Sequence, residues 1–307
     1  MRRLSRVALI LLLFPPLVAA VVGWLTAPAF LHPIKRPLSP DLIRQADASF
    51  KHVGAHREDF NVRAPDGAML YGWKVVPSQP NGNWVLAFHG VADNRVGIVG
   101  QSEVLLRAGY SIVMMDARAH GDSEGAMATY GWLERNDTRT IVDALVSTEH
   151  PTHILALGES MGAGIALQSA GVDSRIEAVV AEAPFASLRE ASYDYAGLQE
   201  YPLLGKTLFA PGAWLMLARG QSIAGFSAAN VSPENAVASR AVPVLLICDG
   251  ADTTLPCRHA ERIYAAARGT KSLWIVRGAY HTGALGYQPA EFERRVLQFF
   301  ANPSAVQ

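Results

Sequence analysis

Four short stretches hold residues whose types and spacing allow them to do chemistry together. The first is GESMG, residues 158–162, which fits G-x-S-x-G. It follows the apolar run HILAL and opens the small-residue run SMGAGIALQSAG. In that setting the motif is a tight strand-to-helix turn that lifts the Ser160 hydroxyl above a sheet, its glycines letting neighbouring backbone come close. A serine hydroxyl is a weak nucleophile at neutral pH and needs a base, with a third group to orient that base. GAYHTGAL places His281 just past the late run KSLWIVRG. Of nine histidines it is the only one after KSLWIVRG, and PVLLICDGADTTLP, which carries Asp249 and Asp252, precedes it. Either aspartate satisfies the chain order Ser, Asp, His. An attacked carbonyl becomes an oxyanion and needs backbone N–H donors. Met161, directly after the serine, is one candidate. Val91 in FHGVADN is the other, with Gly90 leaving room beside it.

These stretches need a rigid frame. From residue 58 onward, strands and helices alternate. EDFNVRA and MLYGWKVV read as two strands around the turn Pro65-Asp66-Gly67. NWVLAFH, YSIVMM, HILALG, IEAVVAEA, PVLLIC and KSLWIVRG read as further strands. Between them, apolar residues recur at helical spacing near 95–108 and in LERNDTRTIVDALVST, CRHAERIYAAARG and PAEFERRVLQFF. Continuous apolar strands separated by helices predict an α/β fold with a mostly parallel sheet covered on both faces. The long interruption at roughly 184–240 lies between two sheet strands and reads as an inserted cap. Its apolar stretch LFAPGAWLML is either an acyl pocket or plain cap core.

Composition narrows the possible partners. The 307 residues carry no net formal charge and no basic run, which argues against nucleic acid. There is no CxxC and no His/Cys cluster, so neither a metal nor an organic cofactor is implied. Cys248 and Cys257 flank the aspartate loop, as a pair or as two small apolar side chains. The N-terminus is basic through MRRLSR and then runs VALILLLFPPLVAAVVGWLTAPAFL without a charge. That run is long enough to cross a bilayer. Arg2, Arg3 and Arg6 favour a cytoplasmic start and an extracytoplasmic catalytic domain, which would be periplasmic in a Gram-negative cell. A cleaved signal, and hence a secreted protein, is the rival, since Val18-Ala19-Ala20 and Ala27-Pro28-Ala29 offer small residues. The organisation expected is residues 1–31 as anchor or signal, 32–57 as a spacer, and 58–307 as the catalytic domain.

Taken together, DGAMLYGW, FHGV, DARAHGDSEG, GESMGAG, PVLLICDGADTTLP and AYHTG resemble the serine hydrolases of the α/β-hydrolase superfamily. More narrowly, the chain is similar to a membrane-anchored bacterial branch related to the serine aminopeptidase and monoglyceride-lipase-like families. The resemblance implies the α/β-hydrolase fold with a helical cap. It also bears on the aspartates. The family's acid loop usually runs H-G-x-x-D-x-x-V-P after its strand, and Asp252 falls on the acid. Cys248 and Asp249 stand where His-Gly is usual, so Asp249 reads as a turn residue before Gly250. In DARAHGDSEG, Ala119 replaces a family glycine, and Asp116 and Arg118 read as structural. Glu159 reads as a buried, hydrogen-bonded carboxylate. The expected activity is hydrolysis of a small or lipid-like acyl ester through an acyl-enzyme on Ser160. Peptide or thioester cleavage on the same triad, or a non-catalytic binding role outside the cytoplasm, are the alternatives.

Overall fold

In the computed structural model, residues 2–197 and 199–304 are described. Eight strands form one sheet: β1 (Ala55–Arg63), β2 (Met69–Pro77), β3 (Asn83–Phe88), β4 (Ser111–Met115), β5 (His153–Glu159), β6 (Ile176–Glu182), β7 (Val244–Asp249) and β8 (Lys271–Val276). Their order is β1-β2-β4-β3-β5-β6-β7-β8. β1 pairs with β2, and β2 with β4, antiparallel; the remaining pairs are parallel. The central strands carry apolar residues on both faces because each face meets a helical layer. Along β3, Trp84 and Leu86 face one core while Val85 and Ala87 face the other.

The helices are α1 (Arg2–Leu31), α2 (Pro40–His52), α3 (Val99–Arg107), α4 (Glu134–Glu149), α5 (Met161–Val172), α6 (Leu188–Ala196), α7 (Pro202–Lys206), α8 (Ala210–Ala224), α9 (Pro233–Ser239), α10 (Arg258–Ala266), α11 (Ala284–Tyr287) and α12 (Pro289–Ala301). α4, α5, α9 and α10 cover the Trp84 face; α2, α3 and α12 cover the Val85 face. α2 lies within the stretch expected as a spacer. Ser39 caps it, and its amphipathic face buries Ala46 and Phe50, the latter edge-on to Trp73. That burial ties residues 40–52 to the sheet.

The cap, between β6 and β7, comprises α6, α7, α8 and α9. A separate apolar cluster joins it to the rest: Phe185, Leu188, Leu217 and Phe226 pack with Leu31 at the end of α1 and Leu255 of the aspartate loop. A buried polar contact adds to this, with His259 of α10 against Asp194 of α6 at 2.7 Å. Burial lowers the pKa of His259 to about 4. α1 is one continuous helix with Leu13–Leu31 apolar enough to cross a membrane.

Candidate active site

The elbow between β5 and α5 is the best-defined local structure in the site. Ser160 has φ 52° and ψ −116°, a conformation that costs a non-glycine residue on the order of 1–3 kcal/mol. It persists because its surroundings fix it. Ser160 N–H donates to the Glu182 carbonyl of β6 at 2.9 Å. A Cβ on Gly158 would strike the Gly162 carbonyl, and one on Gly162 would strike the Phe88 carbonyl. Only glycine allows the turn to pack this closely on β3.

The structure brings Ser160, His281 and Asp252 into one hydrogen-bonded chain. Ser160 Oγ lies 2.9 Å from His281 Nε2, and His281 Nδ1 lies 2.6 Å from Asp252 Oδ2. The carboxylate accepts, so Nδ1 carries the proton and Nε2 is free to accept from the serine. Asp252 Oδ1 is held separately, by the N–H groups of Thr254 at 2.7 Å and Leu255 at 2.9 Å. Every lone-pair direction that matters for orientation is therefore used.

Asp249 does not reach the imidazole ring. It ends β7, and its Oδ2 accepts from Thr282 N–H at 2.9 Å. Thr282, directly after His281, has φ 55°, which a β-branched residue avoids. Asp249 thus restrains the loop that carries His281, a role beyond shaping its own turn. Burial, then the nearby Asp252 charge, raises its pKa to about 6. Behind it, Glu182 is raised well above the carboxylate range by burial and by the Asp249 charge, and accepts from Ala284 N–H at 2.9 Å. Nothing in the sequence marks Glu182. It ends a strand 99 residues before His281, and only the β6–β7 pairing brings it to the loop after β8.

Val91 and Met161 both line the cavity that contains Ser160. Met161 begins α5, where the first N–H groups have no intrahelical acceptor. Glu159 accepts from Gln101 Nε2 at 3.0 Å. Burial, then the Asp93 charge, raises its pKa to about 7. His89 donates through Nδ1 to the Gly90 carbonyl at 2.7 Å and accepts from Ala117 N–H at 3.0 Å. Asp116 is fully buried and accepts from the N–H groups of Arg95 and Asp122. Arg118 grips Asp137 with two 2.7 Å bonds and Asp66 at 2.9 Å. These last three residues hold loops together and do not face the serine cavity. Ala119 sits at φ 59°, the backbone that makes glycine usual there. Cys248 and Cys257 form a disulfide across the aspartate loop.

The cavity over Ser160 has a volume of about 350 Å³ and is walled largely by Phe30, Phe185, Leu188, Met216 and Leu255. None of its described lining residues is charged. Met216 and Phe30 come from α8 and α1, so the cap stretch supplies part of the pocket as well as core. Among the described residues no group of histidine, cysteine, aspartate and glutamate side chains is arranged to hold a metal.

This sheet order, elbow and cap define the α/β-hydrolase superfamily, and the chain belongs to it. Residues 79–208 match the family described as serine aminopeptidase, S33. A Mycobacterium tuberculosis protein of uncharacterized function, Rv2307c, is 31% identical over 73% of this chain and 72% of its own length. The uncharacterized Bacillus subtilis protein YqkD is 29% identical over 88% of this chain and 89% of its own. A lysophosphatidylserine lipase of Danio rerio is 26% identical over 80% of this chain and 66% of its own. Among solved structures, a Pyrococcus furiosus esterase superposes with a TM-score of 0.67 at 23% identity, covering 89% of this chain and 97% of the esterase. A Pyrococcus horikoshii acylaminoacyl peptidase superposes at 0.64 and 16%, over 84% of this chain and 43% of the peptidase. The same fold therefore serves ester and amide cleavage, and the choice lies in the site.

Proposed function

We propose that the chain is a membrane-held serine hydrolase that cleaves carboxylic esters through an acyl-enzyme on Ser160. The hydrogen-bonded chain Asp252–His281–Ser160, opening into an uncharged apolar cavity, is the observation that carries this reading. Ser160 Oγ attacks the acyl carbon as His281 Nε2 takes its proton. The carbonyl electron pair moves to oxygen, and the N–H groups of Val91 and Met161 receive the oxyanion. Collapse expels the alcohol, which leaves with the proton held by His281. Water then attacks the acyl-enzyme, His281 accepting its proton and returning it to Ser160 as the acid departs. Asp252 keeps the ring in the required tautomer and stabilises its cation.

An aminopeptidase needs an acidic group to receive the substrate amine, and no described residue lining this cavity is acidic. That favours an ester with an apolar acyl group. The lipase among the relatives supports the same direction. The apolar stretch of α1 and the arginines that precede that stretch support an anchor with the catalytic domain outside the cytoplasm. The disulfide fits an oxidising compartment.

The test is fluorophosphonate labelling of the full-length protein in detergent, read by intact mass, beside hydrolysis of short p-nitrophenyl esters. One adduct is expected, absent in Ser160→Ala. Asp252→Asn should slow both reactions by about 10⁴-fold by analogy with other triads. A folded wild type that takes no adduct would sink the enzyme reading in favour of a non-catalytic binding role.

A further inference from the structure

The cavity over Ser160 has a neighbour beneath the cap. Thr26, Ser192, Tyr195 and Met216 are shared with a second, larger cavity of about 490 Å³. This crevice runs between α1 on one side, through Phe14, Val18 and Val22, and α8 on the other, through Phe209 and Ala213. Each cavity is of ligand-pocket size. No charged side chain lines either among the described residues. Thr26, Ser192 and Tyr195 line both cavities where they adjoin, and Phe14 and Val18 lie farther along α1.

α1 is built onto the cap. At the crossing with α8 the backbones touch: a Cβ on Gly23 would strike the Gly212 carbonyl, and one on Gly212 would lie 2.5 Å from the Ala19 carbonyl. Small residues at a close crossing are how helices associate within a bilayer. Directly after Gly23, the Trp24 ring lies under the Arg219 guanidinium, which donates to the Trp24 carbonyl at 2.5 Å. Tryptophan and a snorkelling arginine are the residues expected at headgroup depth. The helix before Trp24 leaves Leu13, Phe14, Leu17 and Val21 more than half exposed, and Trp214 of α8 is exposed beside it. After Trp24 the chain turns into the catalytic domain: the Phe30 ring stacks on Tyr130, whose hydroxyl donates to the Phe30 carbonyl at 2.7 Å. The Trp24–Arg219 level therefore divides the path, with the α1–α8 crevice on the hydrocarbon side and Ser160 on the water side.

We propose that the crevice is an acyl-chain channel opening sideways into the bilayer, with the anchor helix as one of its walls. The substrate class is an ester of a long-chain fatty acid in a membrane-resident lipid. Its tail slides between α1 and α8, passes Met216, and presents the carbonyl to Ser160 while the polar part stays toward water. This rests on the ester-hydrolase reading above and adds the source of the substrate and its route. It also requires an uncleaved α1, since loss of residues 1–20 or 1–29 would remove the wall formed by Phe14 and Val18.

The experiment uses the full-length protein in phosphatidylcholine nanodiscs and a hexadecyl fluorophosphonate with a diazirine at the chain end. Phosphonylation of Ser160 fixes the head; irradiation then reports where the tail lies, read by peptide mass spectrometry. Cross-links on residues 14–22 or 209–216 are expected. Val18→Trp, which fills the crevice from its open side, should divert them. The same variant should lower the ratio of kcat/KM for palmitoyl over butyryl esters by about tenfold or more. Ser160 labelled with its tail cross-linked only to Phe185, Leu188 or lipid, or a ratio unchanged in Val18→Trp, overturns the channel and leaves the hydrolase standing. Ser160 unlabelled by both this probe and a short ethyl fluorophosphonate removes the nucleophile, and both readings fall.

Discussion

Thr282 shows what a single carboxylate costs and provides. Its left-handed backbone positions His281, and the Asp249 oxygen that restrains it is buried with its partner oxygen unpaired by any hydrogen bond among the described residues. The group resists ionisation, and its pKa rises from 3.8 to about 6. The folded state then holds a proton that the unfolded chain releases. The stability this contributes is full below about pH 4 and is lost as pH rises through about 6. Asp249→Asn keeps an oxygen for Thr282 N–H and removes the titration. Its melting temperature relative to the wild type should therefore climb between pH 4 and pH 7, with little difference at the acid end. Measuring the two proteins side by side at each pH cancels the contributions of Asp173 and Glu190, whose arginine and lysine partners lower their pKa values and give the opposite slope. A difference that is flat across that range would mean Asp249 is not held protonated. Asp249 illustrates a limit of the sequence as well. The loop motif brings both aspartates to notice, but the N–H that Asp249 serves is 33 residues away and joined to it only through the sheet.

Among the elements, the β5–α5 elbow is tightly constrained. Gly162 packs against the Phe88 and His89 carbonyls at the end of β3, the strand whose following turn supplies Val91. Gly162→Ala should cost about 3 kcal/mol, as overpacking against a backbone that cannot move aside does. Urea denaturation measures this, and because the same shift would move Met161 N–H, fluorophosphonate labelling should slow in any folded fraction. An unchanged midpoint would mean that the elbow has slack. This element was legible from GESMG in its strand–helix setting, as were the central strands, whose two-sided apolarity follows from helices on both faces. α2 was less legible as part of the fold: its amphipathic pattern spans only 13 residues, and Phe50 finds its partner Trp73 on a strand that the sequence does not align with it. The α1–α8 crossing had no readable signal. Ala19, Gly23 and Gly212 are ordinary small residues until two helices about 190 positions apart are laid together.

At the scale of the whole molecule, α1 is continuous with the catalytic body and is not a tether to it. Leu31 is fully buried in the cluster that also holds Leu217 of the cap and Leu255 beside the acid. Lys35 Nζ donates to the Ser123 carbonyl at 2.6 Å, and Asn94 donates to the Arg36 carbonyl at 3.0 Å, so the chain leaving the helix is pinned as well. On the proposed reading of α1 as an anchor, the side on which it emerges fixes the side of the Ser160 cavity. Under that proposal two independent features favour the outer side. Arg2, Arg3 and Arg6 precede the apolar run. The Cys248–Cys257 disulfide, spanning the Asp252 loop, would fit an oxidising compartment. Expressed at native levels in a bacterial host, the protein should resist carbonate extraction from membranes. Its two cysteines should take no maleimide before reduction and both take it after. Protease added to spheroplasts should digest the catalytic domain, while an inverted-vesicle preparation protects it. Protection in spheroplasts together with free thiols would place the site on the cytoplasmic face. The arginines and the disulfide would both have been misread, whereas the packing of α1 against α8, which does not depend on sidedness, would still set the path from leaflet to serine.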